Sequence, residues 1–281
     1  MRPDDDATVR IDARGLTFDL TTGGPTDGEP VLLLHGFPQH RGEWDRVTPA
    51  LHAAGLRSYA LDQRGYSPGA RPAAVADYRL AELVADATAV LDELGVEAAH
   101  VVGHDWGAVV GWQLAATHPE RVRTLTAVSV PHPAALAHAL LTDPGQRVRS
   151  AYIKLFQQTG KAEQVLLALG GTGLRTVLLG VGEGRIDRYA VPMLAPGALT
   201  AALNWYRAVS QRELAKVGPC PVPTTYVWSD GDTAVGRTAA EACAEHVTGD
   251  YRFVTLTEVS HWIPDEAAEA LADAILARVR G

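Results

Sequence analysis

The sequence predicts an α/β fold in which a mostly parallel β-sheet is flanked by helices, and three observations support this prediction. Short apolar runs alternate with longer stretches whose apolar residues recur at helical spacing. The alternation stops after Val130 and resumes at Pro221, with only helical patterns in between. The 281 residues, 47% apolar and 21% charged, can enclose a sizeable core. Together they indicate one sheet-based core with a long helical insertion.

Eight strands are expected along the chain. Two short segments near the start, residues 9–12 and 16–20, are typical of an antiparallel hairpin at the edge of a sheet. Strands buried on both faces of a parallel sheet read as continuous apolar runs, and six such runs follow at residues 31–34, 56–62, 99–103, 125–130, 224–228 and 251–256. Amphipathic helices are predicted at residues 80–94, 106–117 and 265–279.

The helical insertion divides the chain into two predicted domains. Residues 1–132 and 219–281 form a discontinuous core domain, and residues 133–218 form a helical cap, or lid. Long insertions between regular elements are usually functional, and many of them are lids over a site. We therefore expect the cap and the core to share one functional site.

The composition excludes several classes of function. The net charge is −8, with 25 basic and 33 acidic side chains. The sequence has no run of basic residues of the kind that binds nucleic acid. With only two cysteines a disulfide framework is not expected, so Cys220 and Cys243 are predicted to be reduced thiols. The acidic N-terminal segment does not resemble a signal peptide, and no apolar run reaches the ~18 residues of a membrane span. We expect a cytoplasmic protein with neither a nucleic-acid nor a membrane partner.

The segment Val-Gly-His-Asp-Trp-Gly-Ala places Asp105 between a strand and a helix, flanked by Gly103 and Gly107. Such a turn is tight, and bulk at either glycine would clash with the neighbouring backbone. The pattern is that of a nucleophile elbow with Asp in place of Ser, and the helix N-terminus favours an ionised carboxylate there. A plain N-cap role for Asp105 explains the segment equally well, so this motif alone leaves both interpretations open.

Three further segments favour the catalytic interpretation. A His-Gly-Phe-Pro motif follows a strand, and a turn there can aim the N–H of Phe37, together with that of Trp106, at the elbow as an oxyanion hole. Asp230 and Asp232 follow another strand, where site residues of α/β sheets cluster. His261 lies between the last strand and the last helix. The chain order is then nucleophile, acid and base.

With these motifs the sequence resembles the α/β-hydrolase superfamily and, within it, the epoxide hydrolases, over nearly the whole chain. The resemblance implies the α/β-hydrolase fold with a helical cap, and a cis peptide bond before Pro38. It also implies that Asp232, rather than Asp230, is the acid, although Ser229 stands where the family often has Gly. The matching segments are HGFP at 35–38, DQRGYSPG at 62–69 and GHDWGA at 103–108 in the core, and YIKLFQ at 152–157 and NWYR at 204–207 in the cap.

The resemblance also implies a division of roles among five side chains. Asp105 attacks an epoxide carbon and forms a covalent ester, while Tyr152 and Tyr206 of the cap activate the epoxide oxygen. His261 then activates a water that hydrolyses the ester, and Asp232 fixes the tautomer of this histidine. Without the resemblance, packing of the lid onto the core explains the two tyrosines as well.

The expected partners are few. The substrate is predicted to be a small apolar epoxide that contacts Phe37, Trp106 and Trp262, and water is the second reactant. The chemistry calls for no metal and no organic cofactor, and the sequence contains neither an HExxH nor a CxxC spacing. A monomer or a homodimer is expected.

Alternative functions remain on the same scaffold. A haloalkane or fluoroacetate dehalogenase would share the Asp nucleophile and the His base. However, Phe37 stands where haloalkane dehalogenases often have a halide donor, and Ala151-Tyr152 stands where fluoroacetate dehalogenases have His-Trp. A serine esterase or lipase is disfavoured because the elbow holds Asp105. A non-catalytic binding protein of this fold tends to lack a site residue, whereas here every role is filled.

Overall fold

The computed structural model describes residues 7–182 and 184–281. Its centre is a sheet of eight strands: β1 (Ala7–Ala13), β2 (Leu16–Gly23), β3 (Glu29–Leu34), β4 (Leu56–Leu61), β5 (Ala99–His104), β6 (Val122–Val128), β7 (Thr224–Ser229) and β8 (Tyr251–Leu256). The strand order is β1-β2-β4-β3-β5-β6-β7-β8. Strand β2 is antiparallel to β1 and β4, and all other neighbours are parallel. The predicted α/β fold with an edge hairpin is confirmed.

Helices surround the sheet and fill the insertion. Within the described residues the α-helices are α1 (Thr48–Ala53), α2 (Leu80–Glu93), α3 (Trp106–Thr117), α4 (Pro133–Thr142), α5 (Pro144–Arg149), α6 (Ile153–Phe156), α7 (Lys161–Val177), α8 (Ile186–Met193), α9 (Ala198–Ala208), α10 (Gln211–Leu214), α11 (Arg237–Glu241), α12 (Ile263–Glu266) and α13 (Ala268–Val279). The prediction of one continuous helix over residues 265–279 is wrong in its first turn. Ala267 adopts a non-helical φ of −130° and separates α12 from α13.

The central strands separate two apolar cores, because successive side chains of a strand point to opposite faces. On β3, Val31 and Leu33 belong to the core that also contains residues of α1 and α13. Leu32 and Leu34 belong to the core on the other face, with residues of α2 and α3. All four side chains are fully buried. The sheet is therefore rigidly packed from both sides, and its strand ends provide fixed positions for a site.

The insertion between β6 and β7 contains helices α4 to α10. Helix α7 is interrupted at residues 168–171, where Leu169, Gly170 and Gly171 have positive φ. The helical character expected for this stretch agrees with the described residues. The division at residues 133 and 218 into separate domains stays a prediction.

Buried polar contacts fasten the insertion to the core. The indole N–H of Trp205 in α9 donates to the carbonyl of Arg64 (2.9 Å), and the Arg64 guanidinium forms a buried ion pair with Asp86 at 2.6 Å. On the other side, Arg185 pairs with the buried Asp265 of α12. Each of these contacts is charge-assisted or fully buried. The insertion is therefore held to the core by specific polar contacts on both sides.

No helix among the described residues combines the length and the apolar character needed to cross a bilayer. The two cysteines, Cys220 and Cys243, are free thiols in the interior of the core.

Candidate active site

Asp105 lies in a strained turn between β5 and α3, with φ of 51° and ψ of −118°. A Cβ at Gly103 would lie 2.3 Å from the Gly107 carbonyl oxygen, and a Cβ at Gly107 would lie 1.9 Å from that of Leu34. Both contacts are with backbone, so only glycine fits. Asp105 occupies the N-cap position, but its side chain makes no capping hydrogen bond. Capping therefore does not account for this residue, whereas strain of this kind is typical of functional sites.

The loop after β3 reaches the Asp105 carboxylate. The backbone N–H of Phe37 donates to Oδ1 at 2.8 Å. This approach requires Gly36, because a Cβ there would lie 2.3 Å from the Asp105 Cβ. The peptide bond between Phe37 and Pro38 is cis, as the resemblance implied. Trp106, whose N–H is the other expected oxyanion donor, is the first residue of α3, directly after Asp105.

The imidazole of His261 bridges two carboxylates. Its Nε2 lies 3.5 Å from Asp105 Oδ2, and its Nδ1 lies 2.8 Å from Asp232 Oδ2. The backbone N–H groups of Ala234 and Val235 donate to the other oxygen of Asp232, at 2.7 and 2.9 Å, and so fix its carboxylate. The structure thus brings together the residues expected as nucleophile, acid and base.

Asp230, the competing acid, lies apart from this group. Its side chain is exposed and accepts a hydrogen bond from the backbone N–H of Glu258 at 2.8 Å. Ser229, the departure from the family pattern, is accommodated because its hydroxyl donates to the Val259 carbonyl and accepts from the N–H of Gly231 (3.2 Å). The departure therefore does not disturb the position of Asp232.

The charges around His261 set the protonation of the site. Burial lowers the pKa of His261, but the charges of Asp232 and Asp105 and their hydrogen bonds outweigh burial and raise this pKa to about 10. Burial also acts to raise the pKa of Asp105, whereas His261 and the Phe37 N–H stabilise its charged form, and the net effect is a lowered pKa. The resting site at neutral pH is thus an imidazolium between two carboxylates.

Two phenols from the insertion complete the site. The ring of Tyr206 is packed by Phe37, Trp106 and Phe156, with centroid distances of 5.3, 5.0 and 5.1 Å, and Tyr152 lies 6.4 Å from Tyr206. Burial and the charge of Asp105 raise the pKa of both tyrosines. Both phenols are consequently protonated at neutral pH and can serve as hydrogen-bond donors.

Two mainly apolar cavities open onto Asp105. The larger has a volume of about 580 Å³ and the smaller of about 280 Å³. Their shared lining consists of Asp105, Tyr152, Tyr206, Ala234 and His261. We call these cavities the larger arm and the smaller arm of the site. The larger arm is further lined by Phe37, Phe156, Leu166 and Trp262, and the smaller arm by Trp106, Val109, Leu136 and Val209. All three residues expected to contact substrate line an arm.

Other residues of this site were not expected from the sequence. Leu136 and Leu166 line the arms, but they belong to helices whose apolar pattern alone does not show which side chains face a cavity. Glu43 and His104 lie buried behind His261, and the His104 Nε2 is 3.0 Å from the His261 carbonyl oxygen. The position of His104 in the elbow motif, directly before Asp105, could have indicated that it lies at the site. Nothing in the sequence pointed to Glu43.

Known proteins resemble this chain in sequence and in fold. The family described as alpha/beta hydrolase fold matches residues 29–268. AB hydrolase superfamily protein YfhM of Bacillus subtilis is 33% identical, with 95% of each chain covered, and epoxide hydrolase A of Mycobacterium tuberculosis is 30% identical, with 96% of each covered. The crystal structure of epoxide hydrolase A from Mycobacterium thermoresistibile has a TM-score of 0.85 at 26% identity, with 99% of each chain covered.

The chain therefore belongs to the α/β-hydrolase family. Within that family it groups with the epoxide hydrolases, and the resemblance stated from the sequence motifs is confirmed.

Replacing Asp232 by Asn tests which acid controls His261. Asp232→Asn removes the charge next to Nδ1 while keeping the shape of the side chain, so the pKa of His261 should fall from about 10 by about one to three pH units. Asp230→Asn is the matched control and should leave this pKa unchanged. NMR titration of the imidazole measures both, and equal shifts in the two variants would contradict the assignment.

Proposed function

We propose that this protein is an epoxide hydrolase that converts an epoxide to a vicinal diol through a covalent ester on Asp105. One observation carries the proposal: an ionised carboxylate shares its cavities with two protonated phenols, Tyr152 and Tyr206, and with the His261 imidazole. An epoxide is a strained ether whose leaving group is an alkoxide. Opening it needs a nucleophile at carbon and a hydrogen-bond donor at oxygen, and this site offers both.

Ring opening is the first step. A carboxylate oxygen of Asp105 forms a bond to one epoxide carbon, and the bond from that carbon to the ring oxygen breaks. The electron pair of the breaking bond goes to the ring oxygen, which takes a proton from Tyr152 or Tyr206. The products of this step are a hydroxyalkyl ester on Asp105 and a tyrosinate.

Ester formation prepares the second step by changing the charge around His261. The ester is neutral, so one of the two carboxylates that raise the His261 pKa is lost, and this pKa falls. The imidazolium can now release its proton to the tyrosinate or to solvent. Neutral His261, held by Asp232, then acts as the general base on a water molecule.

Hydrolysis of the ester completes the cycle. The activated water adds to the ester carbonyl, and the N–H groups of Phe37 and Trp106 are suited to hold the oxyanion of the tetrahedral intermediate. When this intermediate collapses, the bond between the former carboxyl carbon and the substrate oxygen breaks, and the leaving alkoxide takes the proton of the hydroxyl group that the water left on that carbon. The diol is released, and Asp105 is a carboxylate again. Water has added across the original C–O bond, with no net change of charge.

The substrate class follows from the walls of the two arms. Both arms are mainly apolar, which suits a neutral epoxide with apolar substituents. Because the arms differ about twofold in volume, an epoxide with one larger and one smaller substituent uses the site best. Tyr152 and Tyr206 border both arms, so the epoxide oxygen is placed where the arms meet.

Mass spectrometry of a His261→Gln variant tests the covalent mechanism. This variant should still form the ester but hydrolyse it slowly, so incubation with an aryl epoxide should add the mass of one epoxide to the protein, at Asp105. Asp105→Asn should show no adduct. The mechanism fails if no adduct appears with aryl, alkyl or trans-disubstituted epoxides. Halide release from haloalkanes without diol formation from these epoxides would favour a dehalogenase instead.

Replacing the two tyrosines by Phe tests whether the phenols act in ring opening. Each single variant should slow ester formation by about tenfold or more, and the double variant by about 100-fold or more, because the alkoxide loses its proton donors. Stopped-flow measurement of single turnovers separates ester formation from hydrolysis. Tyr59→Phe, on strand β4, is the control. An unchanged rate in the double variant would assign Tyr152 and Tyr206 to packing.

A further inference from the structure

Glu43 is a fully buried carboxyl group that the reaction described above does not use. It lies in the short 3-10 helix Arg41–Arg46 that follows β3, and its side chain has no exposed surface. Its Oε2 is 3.3 Å from Nδ1 of His104, and the opposite nitrogen of that ring, Nε2, is 3.0 Å from the carbonyl oxygen of His261. A chain of two hydrogen bonds thus connects Glu43 to the backbone of the catalytic base.

The protons in this chain can be assigned from the chemistry of its members. A carbonyl oxygen can only accept a hydrogen bond, so the Nε2 of His104 must carry a hydrogen. Burial and the nearby charge of His261 lower the pKa of His104 to about 4, so the ring is neutral and has a single N–H. Its Nδ1 is therefore an acceptor. The hydrogen between Nδ1 and the Glu43 oxygen then belongs to Glu43.

The surroundings of Glu43 also favour its protonated form. Burial raises the pKa of Glu43, and the negative charges of Asp265 on α12 and of Asp105 at the elbow raise it further. The backbone N–H of Gly36 and the charge of His261 act in the opposite direction, but the net effect is a pKa well above the usual range of a glutamate. Asp265 is already engaged by Arg185 and by the Gln39 amide at 2.5 Å. An ionised Glu43 would add another buried carboxylate with no cation of its own, so the protonated form is favoured.

We propose that Glu43 is a positioning residue that stays protonated, donates a hydrogen bond to His104, and through His104 holds the His261 backbone. The same carbonyl of His261 also accepts from the Ser129 hydroxyl at 2.8 Å, so two donors fix its position. A fixed backbone keeps the imidazole aligned with Asp232 on one side and Asp105 on the other. The effect on catalysis rests on the function proposed above, whereas the protonation of Glu43 does not.

NMR of histidine labelled with nitrogen-15 tests the protonation of the pair without any assay of activity. In the wild-type protein, His104 should show one protonated and one unprotonated nitrogen, with the hydrogen on Nε2, from mildly acidic to mildly alkaline pH. A doubly protonated His104 at neutral pH would mean an ion pair with ionised Glu43 and would overturn the proposal.

Two substitutions at Glu43 test the positioning role. Glu43→Gln keeps a neutral donor of the same shape, so ester hydrolysis should stay within about twofold of wild type. Glu43→Leu removes the donor, so ester hydrolysis should slow by about tenfold, the equivalent of one hydrogen bond, while ester formation changes less. Glu93→Gln, an exposed residue of α2, is the control. Equal impairment of the Gln and Leu variants would contradict the proposal.

The outcomes are distinguishable from a failure of the proposed function. If wild-type protein forms no ester with any epoxide, the epoxide hydrolase proposal fails, and the state of His104 still decides the protonation of Glu43. If Glu43→Leu does not fold, as thermal unfolding would show, Glu43→Gln and the spectrum of His104 decide the proposal.

Discussion

The contact between the Asp105 carboxylate and the His261 imidazole is the interaction on which the rest of this site depends. It joins residues more than 150 positions apart at a distance of 3.5 Å. The contact exists because three glycines, at positions 36, 103 and 107, let β3, β5 and α3 approach more closely than any side chain would allow. The rigid sheet below these elements fixes the carboxylate, and the strain at Asp105 is sustained by that packing.

In the proposed mechanism, the same contact links the charge of Asp105 to the order of the chemical steps. While Asp105 is ionised, His261 holds its proton, with a pKa raised to about 10. In the mechanism that we propose, esterification of Asp105 removes this charge and the pKa of His261 falls, so the base becomes neutral only when a base is needed. The rate of ester hydrolysis should therefore rise with pH through this lowered pKa. Both tyrosines, whose pKa values are raised, remain proton donors throughout this range.

Features set by local sequence could be predicted, whereas features set by packing between distant segments could not. The strands and most helices follow from apolar periodicity, and the elbow follows from Gly103 and Gly107, whose clashes are local to one turn. The start of α13 was misplaced because Ala267 has no side-chain signal for its non-helical backbone. The choice of Asp232 over Asp230 needed the family resemblance. Leu136, Leu166 and Glu43 were not predicted, because their places at the site depend on contacts between distant segments, which spacing along the chain does not encode.

Transfer of oxygen from Asp105 to the product is the most direct test of the covalent mechanism. The measurement is a single turnover, with enzyme in excess over epoxide, in water enriched in oxygen-18. In the proposed mechanism the oxygen added to the epoxide comes from the carboxylate, so the diol should contain no label, and the label should appear in Asp105. Repeated turnover in the same water should then give labelled diol. Labelled diol in the first turnover would mean that water attacks the epoxide directly and would contradict the covalent mechanism.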